Sequence, residues 1–193
     1  MKKLIEKALE YKGPVERFKQ SGLTLVYLSQ ELKEDKTIVY PDNLAQSFFS
    51  PANGDFILET EKNNNIEFPH LYKKLLKECN GFSLEGGYLN FYGLDLGLWK
   101  GFTQKEKAFW GKDVIQVNEV YAPMKITSRF FIIGENHYIN CWIGIKDGNT
   151  YNINRYGKQL EAFDLINVYT SSVEEFNRYA NETILHIKEL HQN

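Results

Sequence analysis

At 193 residues with a formal net charge of −2, the chain has the length of one domain, able to bury about 70% of its unfolded surface. Hydrophobic residues make up 42% of it and aromatics 15%, which excludes a disordered chain, and the near-neutral charge excludes a general polyanion binder. The charge is uneven, with eight acids against four bases over 38–97, five against eight over 98–155 and six against three over 156–193; that separation suits complementary protein contacts better than nucleic acid.

In chain order, Leu4, Ile5, Ala8, Leu9 and Tyr11 recur at helical spacing and predict a first helix closed near Gly13-Pro14. Charges thread through this opening stretch and no small-residue cleavage site follows, so it does not read as a signal peptide. With no apolar run long enough to span a bilayer, the expectation is a soluble cytoplasmic protein. "LTLVYLS" (23–29) and "TIVY" (37–40) read as strands of a hairpin around the polar linker "QELKEDK". "SPANGDFILETEKNNN" (50–65) fits either a helix opened by Pro51 or a strand over "DFILET", with Asn63-Asn64-Asn65 as a turn on both readings. In "FPHLYKKLLKECNG" the stripe Leu71, Tyr72, Leu75, Leu76 and Cys79 predicts a helix over 69–80, with Pro69 in its first turn and Asn80-Gly81 as its stop.

Tyr88, Asn90 and Tyr92 then alternate with Leu89 and Phe91 as in a strand. "LDLGLWKGFTQKEKAFWGKD" (94–113) reads as a loop enclosing a short helix over Gln104–Trp110. "FFIIGEN" (130–136) reads as a buried strand, and "CWIGIK-DGN-TYNINR" (141–155) as a hairpin turning at Asp147-Gly148. A closing helix over 172–188 starts at a capping box of Ser171 and Glu174, with Val173, Phe176, Tyr179, Ala180, Ile184 and Ile187 on its apolar face. Because strands and helices do not alternate strictly, the pattern predicts α+β with a mostly antiparallel sheet flanked by helices.

Chemistry-bearing residues do not assemble into a set. His186 and His191 lie five apart on a helix, about 140° around it, and diverge as ligands. His70 follows Pro69 in a first turn, and His137 has no neighbouring Cys or Asp to complete a catalytic group. Asp95, Glu119, Glu135 and Asp164 are carboxylates that no spacing pairs. Neither a phosphate loop nor a G-x-S-x-G serine occurs. Cys79 and Cys141 sit on apolar patterns and read as buried thiols. These observations predict no metal, no cofactor and no enzyme activity. The aromatic-basic weave of Trp99, Lys100, Phe102, Lys105, Lys107, Trp110 and Lys112 offers a nucleic-acid alternative, which the acids elsewhere oppose.

The order of short motifs resembles the SUKH superfamily, which includes yeast cell-wall-synthesis regulators and bacterial immunity proteins of polymorphic toxin systems. The resemblance covers about residues 50–180. It rests on Glu59 and Glu61 in an acidic helix, Ile66 to Pro69, Tyr72 to Gly81, Leu89 to Gly93, Ile133 to Asn136, and Ser172 to Phe176. His137 stands where a glycine is usual, "NINRYGKQ" replaces an acidic hairpin end, and residues 13–49 match no part of the pattern. The resemblance implies one SUKH-like domain over 1–193 that acts without catalysis, binding and neutralising a cognate toxin domain by protein–protein contact. A regulatory interaction module is the first alternative, and a nucleic-acid-binding protein or an enzyme with an unrecognised site comes after it. From the residues, the expected partner surface combines acids with aromatic anchors: Glu85, Tyr88, Tyr92, Asp95, Trp99 and Trp110. The polar Asn90 suggests that the face it shares with Tyr88 and Tyr92 is wet, although the large aromatics could equally be core.

Overall fold

The computed structural model describes residues 2–36, 38, 40–94, 103, 106 and 113–190. Helix α1 (Lys2–Leu9) buries Leu4 and Ala8, four apart on one face. The strands are β1 (Val15–Phe18), β2 (Leu23–Tyr27), β3 (Leu44–Phe48), β4 (Phe82–Leu84), β5 (Leu89–Phe91), β6 (Phe131–Asn136), β7 (Cys141–Lys146), β8 (Asn149–Asn154) and β9 (Gln159–Phe163). Among the described residues they form one sheet in which each strand pairs antiparallel with the next in sequence. The helices are α2 (Gln30–Asp35), α3 (Gly54–Asn64), α4 (His70–Leu76), α5 (Val114–Gln116), which runs into a π-turn (Val117–Tyr121), α6 (Met124–Thr127) and α7 (Leu165–Leu190). The fold is therefore α+β around an antiparallel meander, as the sequence pattern predicts.

Local chemistry explains several boundaries. The ambiguous stretch after Pro51 is a helix: the Asn53 side chain accepts the Phe56 N–H at 2.8 Å, and Asn65 ends α3 in the left-handed region at φ 48°. The β7–β8 turn has positive φ at both Asp147 (49°) and Gly148 (77°), the geometry that matches the right-handed twist of two paired strands. Glu61, on α3, accepts the Phe68 N–H at 2.7 Å and pairs with Lys73 at 3.0 Å. It thereby fixes the Ile66–Pro69 step onto the start of α4.

Several boundaries differ from the sequence expectation, the first helix among them, since it ends at Leu9 rather than near Gly13-Pro14. The partner of β2 is β3 rather than 37–40, and most of the polar linker between them is helical as α2. β3 is buried along its whole length, so Gln46 and Ser47 interrupt the alternation that would have revealed it. Thr37 and Val39 lie outside the described residues. Helix α4 stops at Leu76, because the Ala52 N–H takes the Leu76 carbonyl at 2.9 Å and the Asn80 N–H turns to Ser50. Helix α7 starts at Leu165, seven residues before the predicted start. Asp164 accepts the Asn167 N–H at 3.1 Å and so does the capping, while Ser171 lies within the helix on its exposed side.

The main core lies between the sheet and its helices. Phe82 and Phe91 are cross-strand partners with rings stacked 5.3 Å apart; Tyr72 of α4 packs on Phe91 and Tyr169 of α7 on Phe82. Leu165, Tyr169, Val173, Phe176 and Ala180 form the buried stripe of α7, and each large side chain so buried contributes about 1.5–3 kcal/mol. Leu23, Leu25, Leu44 and Phe49 form a smaller cluster on the first strands. Both cysteines are buried free thiols, and burial pushes the Cys79 thiol up to about 12. No described helix is long and apolar enough to cross a membrane.

Candidate partner-binding surface

The β4–β5 connection is a tight turn over Glu85–Gly87 in which three successive residues have positive φ, at 51°, 66° and 98°. Two glycines make such a turn accessible. Gly86 is required for a second reason, since a Cβ there would lie 2.4 Å from the ring of Tyr40. Glu85 has no such freedom, and a non-glycine residue in this region carries strain of order 1–3 kcal/mol. Glu85 as a whole is buried, at 5% exposure. One oxygen accepts the Tyr138 hydroxyl, the other accepts Ser172 Oγ at 2.5 Å, and the Glu85 N–H donates to Gln46 Oε1 at 3.3 Å.

Two tyrosines stand over this turn. Tyr88 and Tyr138 stack with ring centroids 4.7 Å apart and planes 16° from parallel, and they remain 42% and 54% exposed. The His137 N–H donates to the Tyr88 carbonyl at 2.8 Å, which ties the turn after β6 to the start of β5. Tyr40 lies 6.4 Å from Tyr88 and 6.0 Å from Phe176. Burial and the Glu85 carboxylate raise the Tyr40 and Tyr138 phenols well above their usual range, so both stay protonated. A cavity of about 490 Å³ opens between this cluster and α7, lined by Tyr40, Glu85, Tyr138, Phe176 and Tyr179 among others.

A second buried carboxylate is closed. Glu135 is held by both terminal nitrogens of Arg155 at 3.2 Å; the same guanidinium lies 4.2 Å from the Trp142 ring and donates through Nε to Asn140. His137 Nε2 stands 3.5 Å from the other Glu135 oxygen. Burial and a hydrogen bond with Glu135 raise the Tyr92 phenol.

The structure thus brings Glu85 and Tyr88 together and separates Tyr92 from them. Tyr92 is 2% exposed, which corrects the reading of one wet face along 88–92. Tyr88 precedes β5 with helical backbone angles, φ −70° and ψ −30°, so the alternation does not carry through from it to Tyr92. Glu85, expected on the partner surface, is instead buried in the lining of a cavity. Asp95, Trp99 and Trp110 lie outside the described residues, as do His191 and most of the predicted helix 104–110. Of the unpaired carboxylates, Glu135 binds Arg155, Asp164 caps α7 and Glu119 is exposed. His70 and His186 are both exposed. Among the described residues, no group of three or more His, Cys, Asp and Glu side chains is placed to hold a metal.

Sequence reasoning missed Tyr40, Tyr138 and Ser172 as parts of this cluster. Ser172 belongs to a motif that carries the family resemblance, whereas nothing local marks Tyr138, whose contact with Glu85 spans 53 residues.

A family model described as SMI1 / KNR4 family (SUKH-1) matches residues 51–178. No curated protein and no solved structure matches the chain. The matched span holds Glu85, Tyr88, Tyr138, Ser172 and Phe176, while β1 to β3, Tyr40 and the last turns of α7 fall outside it.

Proposed function

The chain belongs to the SMI1 / KNR4 (SUKH-1) family, and from that premise we propose that it is an immunity protein, one that binds and neutralises a cognate bacterial toxin domain by protein–protein contact in the cytoplasm. The family is equally consistent with a regulatory interaction module, which shares the binding role and differs in the partner. The observation that carries a binding role is the half-exposed Tyr88–Tyr138 stack above a buried carboxylate. Rigid aromatic anchors next to a polar pocket are the composition of interface hot spots, and acid-rich surroundings suit a basic partner. Neither a cofactor nor nucleic acid enters this reading.

The test is growth of cells expressing the toxin domain encoded beside this gene. Protection is expected only when the protein is present in at least equal amount to the toxin, as a stoichiometric blocker requires, and a stable complex should co-purify. Changing Tyr88 and Tyr138 together to Ala should abolish protection, with folding of the variant confirmed by circular dichroism because Tyr138 also holds Glu85. Protection by a small fraction of the toxin's amount would point to catalysis and overturn the proposal, as would full protection without the two rings.

A further inference from the structure

We infer that the cavity between the Glu85 turn and α7 is a receptor for an arginine side chain of the partner protein. This rests on the reading of the chain as a binding module and adds the chemistry of what it grips. Glu85 is a buried carboxylate held only by neutral donors: the Tyr138 hydroxyl, Ser172 Oγ and no cation among the described residues. Buried charges are ordinarily paired, because neutral hydrogen bonds offset only part of the lost hydration. The other buried carboxylate, Glu135, follows that rule through Arg155. Glu85 departs from it, and it departs where a cavity of about 490 Å³ adjoins it.

The cavity's chemistry matches a guanidinium. A carboxylate has about four lone-pair sites; one on each Glu85 oxygen is used by Tyr138 and Ser172, which leaves one per oxygen for a two-pronged donor. The walls are aromatic, from Tyr40, Tyr138, Phe176 and Tyr179. A planar, weakly hydrated guanidinium stacks on such rings, whereas an ammonium holds its water more tightly. Glu85, Glu175 and Glu182 line the cavity against the single base Arg178, which lies 3.9 Å from Glu175. The lining is therefore net acidic, and its own cation, Arg178, is largely exposed with Glu175 as its nearest carboxylate.

The test is a nuclear magnetic resonance titration of the full chain with N-acetyl-arginine amide, N-acetyl-lysine amide and the neutral isostere N-acetyl-citrulline amide. Arginine amide should bind with a dissociation constant of order millimolar, about −4 kcal/mol, and shift the amides of Glu85, Tyr138 and Ser172. Lysine amide should bind more weakly and citrulline amide should leave those amides unmoved. Glu85→Gln keeps the size of the side chain and should weaken arginine binding about tenfold, a factor worth about 1.4 kcal/mol. Glu182→Lys, at an exposed position on the rim, should weaken it without touching the core. Equal shifts with arginine and citrulline, or none with arginine, overturn the inference. Protection of toxin-expressing cells is scored separately: a protein that protects yet ignores arginine removes the pocket alone, and one that binds arginine yet never protects removes the immunity reading alone.

Discussion

Replacing Asn80 by Ala tests how the structure assigns that residue's role. Asn80 is 2% exposed, and its side chain makes two reciprocal bonds with one backbone residue, accepting the Leu94 N–H at 2.8 Å and donating to the Leu94 carbonyl at 3.1 Å. Leu94 is itself fully buried, so water cannot replace either bond. Each buried backbone group left without a partner costs about 1–3 kcal/mol, so Asn80→Ala should lose about 2–6 kcal/mol. That is a large part of the total stability of about 5–15 kcal/mol usual for a folded domain. At about 2–4 °C per kcal/mol for a chain of this size, the thermal midpoint should fall by roughly 4–24 °C. Asn80→Asp keeps the acceptor but sets a carboxylate against the Leu94 carbonyl, and it should do no better than Ala. Asn53→Ala is the comparison: that side chain also accepts a backbone N–H, from Phe56, but at an exposed helix start, where the loss is about 1 kcal/mol. Urea unfolding of the variants side by side gives the answer. If Asn80→Ala costs no more than Asn53→Ala, the two buried bonds do not hold this part of the fold and the reasoning is refuted.

Arg155→Met should cost about 3–5 kcal/mol in the same urea assay, because it strands the buried Glu135 carboxylate. Adding Glu135→Met should restore most of that loss, and a double variant as unstable as the single one would count against the charge argument. Alkaline pH should destabilise the protein: the Cys79 thiol, ordinarily near 9, is pushed up to about 12, and burial also raises the Tyr72 and Tyr169 phenols. The unfolded chain therefore holds fewer protons above pH 9, so stability is fully present below that value and falls as pH rises toward 12; unfolding curves at pH 8 and 10.5 measure the difference, and Cys79→Ala should flatten the first part of the decline.

What the sequence by itself determined are the features written in neighbouring residues. The Asp147-Gly148 hairpin, the buried strand before Asn136, the apolar stripes of α1 and α7 and the helix–stop–strand order of 69–91 all rest on side-chain period and on residues that tolerate positive φ. The spacing of those signals was enough to carry the SUKH resemblance, which the family match over 51–178 bears out. Tertiary structure decided what each residue faces. Asn80 looked like a helix stop, yet α4 ends four residues earlier and Asn80 instead bonds Leu94, fourteen residues on. Asn118 does the same for Ile132, bonding both its N–H and its carbonyl at 2.8 Å, with no local pattern to announce it. Tyr88 and Tyr92 look equivalent in the alternating pattern, yet one is 42% exposed and the other 2%, the second lying beside the Glu135 carboxylate more than forty residues away. Glu85 meets Ser172 across 87 residues of chain. Period and turn chemistry act within a few residues and leave their mark in the sequence, whereas burial of a loop side chain depends on which distant element covers it, and only the folded sheet and helices bring that element into place.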